Sequence, residues 1–506
     1  MFSLNPGQLT FSDLRELLNK KTTLKLNDAC HSAIHASEKL IISLIQKNKP
    51  VYGINTGFGA LAHSRISAQD LNQLQHNLIL SHAAGTGEYL NDDIVRLILA
   101  LKINSLARGY SGVSMKTIDA LIRLYNKKIY PCIPCQGSVG ASGDLAPLAY
   151  LSALLIGQGQ ARHHDKIISA EKALEIAELK PLGLGPKEGL ALLNGTQVST
   201  AIAIDAWFKI ETTFHNAIIT GALSVDAMRA SHTPFDERIH AIRGQAGQIE
   251  VARLFRLLLK GSEIPQAHRD CDKVQDPYSL RCQPQVMGAC LSHLLYTQSI
   301  LLAEANGVTD NPLIFSEEEE VLSGGNFHAE PIALAADALA VCIAEIASLS
   351  ERRIALMIDP HFSQLPAFLV NNPGINSGFM IAQVTAAALV SENKSLAHPA
   401  SVDNIPTSLG QEDHVSMATY AARRLLSMTE NAAAVIGIEL LAACQALDLI
   451  RPLKTSASLE KVYELVREKV SYYEHDRFFS DDIAQAKAIV QSGELLVDAD
   501  YSNFFK

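Results

Sequence analysis

The run Gly137-Ser138-Val139-Gly140-Ala141-Ser142-Gly143-Asp144-Leu145-Ala146-Pro147-Leu148-Ala149 holds residue types that could make an electrophile out of the backbone itself. If the Gly143 amide nitrogen attacks the Ala141 carbonyl carbon, a five-membered ring closes. Loss of that carbonyl oxygen as one water, and of the Ser142 hydroxyl as a second, leaves 4-methylidene-imidazol-5-one (MIO), a conjugated electrophile. Each residue type has a reason. Gly143 has no Cβ, so its nitrogen can approach closely; Ser142 carries the hydroxyl to be eliminated; Ala141 is small enough for a compressed turn. Asp144 reads as the N-cap of a following helix, and Pro147 falls in the first turn, where no intrahelical N–H is needed. The positive end of that helix would favour negative charge on the ring carbonyl. Taken alone, Ala-Ser-Gly is common and means a turn ahead of a capped helix. Nor do these glycines fit a G-x-G-x-x-G dinucleotide fingerprint between strand and helix. The neighbouring segments must decide.

Five further segments carry chemistry-bearing residues in close company. They are Tyr52-Gly53-Ile54-Asn55-Thr56-Gly57-Phe58-Gly59, Ser81-His82-Ala83-Ala84-Gly85, Leu193-Asn194-Gly195-Thr196-Gln197, the stretch from Val274 through Gln275, Tyr278 and Arg281 to Gln285, and Gln411-Glu412-Asp413-His414. With three glycines so close together, the first reads as a mobile loop rather than a helix. Each of the others has an ordinary reading: an asparagine before glycine as a loop cap, Arg281 as a surface arginine, a lone His or Glu as structural; outside these segments, Phe327 is by default a core residue.

All six segments, in this order, resemble the signature of the MIO-dependent aromatic amino acid ammonia-lyases and aminomutases. The resemblance runs from about residue 5 to residue 500 and is closest to the histidine-selective members. It implies that Ala141, Ser142 and Gly143 form the MIO electrophile and that no external cofactor, metal or nucleotide is needed. Tyr52 would be the catalytic base, acting as a phenolate although a free tyrosine has a pKa near 10. Tyr278 would lie near the ring and the leaving amine, and Phe327 beside the electrophile. Asn194 and Gln275 would surround the electrophile and the substrate amine. Arg281, with its planar fork, would bind the substrate carboxylate. Ser81-His82 resembles the histidine-selective pattern, and Glu412 offers a carboxylate to an imidazole. One departure is Ser408-Leu409-Gly410 ahead of Gln411, where the family pattern leads us to expect a small residue and then a polar one. The implied reaction is non-oxidative elimination of ammonia from L-histidine to give trans-urocanate, by a homotetramer with dihedral symmetry.

These residues need a scaffold, and the 506-residue chain points to a mainly α one. It is 48% hydrophobic and 6% aromatic, with a single Trp, which suits Ala/Leu packing between helices better than aromatic-rich strands. Helical spacing is seen over 37–47, 71–81 and 92–106. Beyond residue 195 it lengthens to 196–227, 285–306, 331–357 and 428–449. We therefore divide the chain into 1–195, an N-terminal helix-and-loop region bearing the electrophile, and 196–506, a long-helix bundle and C-terminal helical region completing the site. Glu317–Glu320 reads as a solvated loop tip.

A net charge of −10 without a Lys/Arg stripe argues against nucleic acid. The most apolar stretches are interrupted by Asp337, Glu345 and Glu439, which argues against membrane spans. Eight scattered cysteines and an N-terminus lacking a basic-then-apolar pattern point to a cytoplasmic location. The readings still open are a tyrosine or phenylalanine lyase or aminomutase, and a helical scaffold that never cyclises. A fumarase-type lyase lacks its expected Gly-Ser-Ser-x-Met-Pro-x-Lys-x-Asn signature here.

Overall fold

A computed structural model of the chain describes residues 1–46, 54, 56, 66–67, 70–267 and 274–495. It is mainly α, with four helices of 24 to 32 residues: Gln197–Ala227, Gln283–Asn306, Glu330–Ile358 and Ala418–Leu449. Three follow the apolar spacing closely. The fourth begins ten residues earlier than expected, because the pair Arg423-Arg424 hides a pattern that Ala421, Ala422 and Leu425 already carry into the core. Arg424 is itself 5% exposed, and its guanidinium donates to the His398 carbonyl.

The chain forms two compact units. One comprises Met1–Asp205, Gln298–Asp337 and Pro399–Arg423; the other comprises Ala206–Thr297, Ala338–His398 and Arg424–Lys506. In the first, the helix Asp92–Leu106 is capped by the Asn91 side chain, which accepts from the Ile94 N–H at 2.8 Å. Every residue from Ile94 to Leu106 is buried, so this helix is core on all sides. The same unit holds small sheets: Phe2–Leu4 lies parallel to Leu24–Leu26, and Tyr130–Pro131, Gln160–His163 and Lys166–Ser169 form an antiparallel trio. The strand Pro134–Gln136 pairs antiparallel with Thr86–Tyr89 and leads directly into Gly137, fixing where the electrophile segment starts. The acidic run is the exposed tip of the hairpin Leu313–Phe315/Glu320–Leu322.

The second unit explains how a carboxylate sits within an apolar helix. Glu439, fully buried, takes a bidentate fork from Arg353, Nε–Oε1 at 2.5 Å and Nη2–Oε2 at 2.8 Å. Ser224 Oγ at 2.6 Å and Ser350 Oγ donate to the same group. A buried ion is tolerated when paired and fully hydrogen-bonded. Trp207 Nε1 is likewise satisfied, donating to the Leu294 carbonyl at 3.1 Å. By length and hydropathy alone, Gln283–Asn306, Glu330–Ile358 and Ala418–Leu449 could each cross a membrane, yet 67% and 83% of the apolar windows of the latter two are buried inside the fold. Among the described residues seven cysteines are free.

Candidate active site

The tripeptide lies in a turn shaped by backbone contact. Gly143 has φ +70°, and a Cβ placed there would lie 2.3 Å from the Gly195 carbonyl oxygen. Only glycine fits so close an approach in that conformation. Gly143 and Gly195 form an isolated parallel bridge, and the Asp144 N–H donates to Gly195 O at 2.8 Å. Ala141 is 4% exposed, while Ser142 is half-buried.

Asp144 does precede the helix Leu145–Leu155, and Pro147 falls in its first turn, but the Asp144 side chain makes no capping bond to that helix. It is spent elsewhere. Oδ2 accepts from the Ser199 N–H at 2.7 Å and Ser199 Oγ at 2.9 Å, so the carboxylate caps the helix that begins at Gln197. Oδ1 accepts from Thr419 Oγ1 at 2.6 Å and Ser138 Oγ at 3.0 Å. Burial pushes the Asp144 carboxyl above its ordinary range, and these four bonds only partly offset that.

In front of the turn, Ser142 Oγ donates to Glu412 Oε1 at 2.5 Å, across 270 residues of chain. Glu412 sits in a tight loop in which its backbone bridges Thr407. Its Oε2 accepts from Thr407 Oγ1 at 2.5 Å and Ser408 Oγ at 3.0 Å. Burial raises this carboxyl, but the three hydroxyls and nearby His82 outweigh it and hold it below the usual glutamate range. The unexpected Ser408-Leu409-Gly410 thus includes one of the glutamate's donors. His82 ends the helix Leu71–His82, with Nδ1 2.8 Å from the Leu78 carbonyl. Since a carbonyl can only accept, that contact puts a proton on Nδ1.

Asn194 follows the short helix Glu188–Leu193, is 5% exposed, and its Oδ1 is buried without a hydrogen-bond partner. A buried acceptor left open marks a place for a ligand donor. Phe327 lies between Asn326 and His328, and the Ala329 N–H donates to Gly140 O at 3.2 Å, tying that segment to the electrophile run. Ala141, Ser142, Gly143, His82, Asn194, Phe327 and Glu412 therefore belong to one unit.

Gln275, Tyr278 and Arg281 belong to the other unit, where Gln275 and Arg281 line an open cleft of about 740 Å³. The Arg281 guanidinium stacks 4.5 Å over the Tyr278 ring, and its Nε donates to the Asp276 carbonyl at 3.1 Å. Tyr278 is 72% exposed. Tyr52 lies outside the described residues.

Sequence reasoning gave no role to His328, Glu330 or His414, although His414 closes one of the six segments. Their ligand atoms lie within 4.8 Å of one another, and the two rings stack at 5.6 Å with 10° between planes. The signal was available, since each histidine stands beside or two residues from a residue already singled out, Phe327 or Glu412.

The aromatic amino acid lyase family matches residues 9–468. The chain belongs to that family. A histidine ammonia-lyase of Idiomarina loihiensis is 58% identical over 495 residues, covering 98% of this chain and 97% of that protein. Among solved structures, histidine ammonia-lyase from Trypanosoma cruzi superposes with a TM-score of 0.92 at 39% identity, covering 100% of this chain and 98% of that one. Tyrosine aminomutase from Streptomyces globisporus gives 0.92 at 33% identity, with 97% of each chain covered. As a member of the family the chain is a lyase with a mainly α fold.

Proposed function

We propose that the chain removes ammonia from L-histidine to give trans-urocanate. The Ser142–Glu412 contact carries this reading, because it sets an ionised carboxylate directly against the tripeptide, where an imidazole can pair with it. The identity of 58% to a protein named histidine ammonia-lyase supports the same substrate.

The residues present fit an MIO group formed from Ala141-Ser142-Gly143. The Gly143–Gly195 contact leaves no room for a Cβ on the attacking residue, and Asn194 offers its open acceptor nearby in the chain. Once formed, that group supplies a conjugated electrophile that makes the substrate amine a better leaving group. The protein's side chains do the rest. Arg281 takes the substrate carboxylate bidentately; Glu412 receives an imidazole N–H, with His82 beside it; Asn194 and Gln275 orient the amine; Phe327 and Tyr278 flank the ring. Tyr52 in its phenolate form takes the β-proton. The Cβ–H and Cα–N bonds break, a Cα–Cβ double bond forms, and ammonia leaves. The hard step is removal of a weakly acidic β-hydrogen, and fixed orientation lowers its barrier most.

We further propose a cytoplasmic homotetramer in which several subunits complete each site. Supporting this, Tyr278 is 72% exposed in the single chain, and helices of the second unit present Val341, Ile381 and Val384 at 50%, 63% and 52% exposure. Intact mass tests the electrophile: active protein should weigh less than its sequence by two waters. Incubation with histidine, tyrosine and phenylalanine, with a search for β-amino acid product, tests the reaction. Active protein at full sequence mass would refute the ring, and a preference for tyrosine would refute the substrate.

A further inference from the structure

Lys102 is 1% exposed and stands within the buried run Ile94–Leu106 of the helix Asp92–Leu106. The neighbouring carboxylate Asp310 is already engaged, by Lys187 Nζ at 2.6 Å. Lys102 instead donates to two neutral oxygens, the Asn194 carbonyl at 2.5 Å and Gln197 Oε1 at 3.4 Å. Burial drops its pKa from 10.5 to about 7, with Asp310 and Asp144 holding it up and Lys187 pressing it down. Keeping an amine in such a place is unfavourable when a methionine would fill the same volume. The two acceptors explain the choice. They flank Gly195, whose φ is +126° and whose absent Cβ would lie 2.4 Å from Gln197 Oε1. Gln197 is pinned from its other end, Nε2 donating to Thr309 Oγ1 at 2.9 Å. Gly195 in turn bridges Gly143 and accepts from the Asp144 N–H. A continuous chain of contacts thus runs from Lys102 through Asn194 and Gln197 to Gly195, and on to Gly143, whose nitrogen must attack Ala141.

The geometry points to Lys102 as a positioning residue for ring closure: it holds Asn194-Gly195 against Gly143 so that the Gly143 nitrogen is pressed toward the Ala141 carbonyl. The role rests on the MIO reading above. Lys102 touches none of the reacting atoms. It acts by limiting how far the glycine pair can separate, and either protonation state of the amine can donate to the Asn194 carbonyl.

The test is refolding of the full chain, followed by intact mass against time, with kcat and KM for histidine on the product. Lys102→Met keeps length and removes the donor; Lys102→Arg keeps a donor. We expect Lys102→Met to regain wild-type helicity but to lose its two waters at least tenfold more slowly. Whatever fraction matures should show a lowered kcat, since the ring and Asn194 beside Gly195 are held less firmly. Lys102→Arg should recover part of the maturation rate, which a role in bulk packing would not predict. Folded Lys102→Met that matures at the wild-type rate overturns the proposal. So does a Lys102→Met chain that fails to fold and is not restored by arginine, because the lysine is then structural. Wild-type protein that is active yet never loses two waters refutes the ring itself, and this role with it.

Discussion

Behind the Ala141-Ser142-Gly143 turn and in front of it, the same unit is built in two ways. Behind, Asp144 has no exposed surface and accepts four hydrogen bonds, and the Gly143 and Gly195 backbones touch without side chains between them. In front, Glu412 is half-buried and is held by three hydroxyls, two of them from its own loop. The back is set by backbone geometry, which tolerates almost no substitution. The front is set by side chains, and its loop hydroxyls, Thr407 and Ser408, can be exchanged one at a time for modest effect. A rigid back suits a ring-closing reaction that happens once per chain. A side-chain-built front suits recognition of one substrate ring among several.

Mutations can break this contrast, starting at its sharpest point. Ser142→Ala removes the hydroxyl that must leave, so turnover should fall to background and the two-water mass loss should be incomplete. Mass spectrometry and product absorbance both read this. Gly143→Ala strikes the back: its Cβ would meet Gly195 O at 2.3 Å in a left-handed conformation. We expect a loss of roughly 1–3 kcal/mol of stability, by thermal or denaturant unfolding, with no maturation in the folded fraction. Undiminished maturation would show that the back is looser than drawn here.

Glu412→Ala strikes the front and should leave maturation intact. It should cost histidine about 1–3 kcal/mol in kcat/KM, roughly 10- to 200-fold, while trace activity on phenylalanine changes little. An equal loss on both substrates would detach Glu412 from ring recognition. The depressed carboxyl adds a pH test. A folded-state pKa below the unfolded value near 4.3 means the contribution of Glu412 is fully present above that value. It is lost only as pH falls through the lower, folded pKa. Ring formation removes the Ser142 hydroxyl, so in the matured chain Thr407 and Ser408 remain as the donors, and the acid limb of histidine binding attributable to Glu412, read as the wild-type minus Glu412→Gln difference, should lie no higher than the ordinary glutamate range. Smallest of all, Thr407→Val removes one donor to Glu412 and should shift that limb upward while weakening histidine binding by about 1 kcal/mol.

How much of this could be read in advance depended on how local each feature is. The helices over 71–81, 92–106, 196–227, 285–306 and 331–357 were visible because buried positions recur with the helical period along a single segment. The early start of Ala418–Leu449 was hidden by Arg423-Arg424, since a buried arginine with a carbonyl partner looks in sequence like a surface one. Asp144 was read as a cap, and it is one, but for a helix beginning more than fifty residues later. The return of residues 298–337 and 399–423 to the first unit has no local signature at all.

What the chain determined by itself is the chemistry available to it. Ala-Ser-Gly can cyclise because three adjacent residues supply the nitrogen, the carbonyl and the leaving hydroxyl, and that capacity is written within one turn of backbone. Folding decided which groups surround that turn. Glu412 reaches Ser142 across 270 residues, and Lys102 reaches Asn194 across 92. Contacts at such separations are selected by the packing of whole helices rather than by the residues' own preferences. A glutamate or a lysine keeps the same local propensities wherever its side chain ends up. Only burial and the partners found there lower the carboxyl pKa of one and the amine pKa of the other.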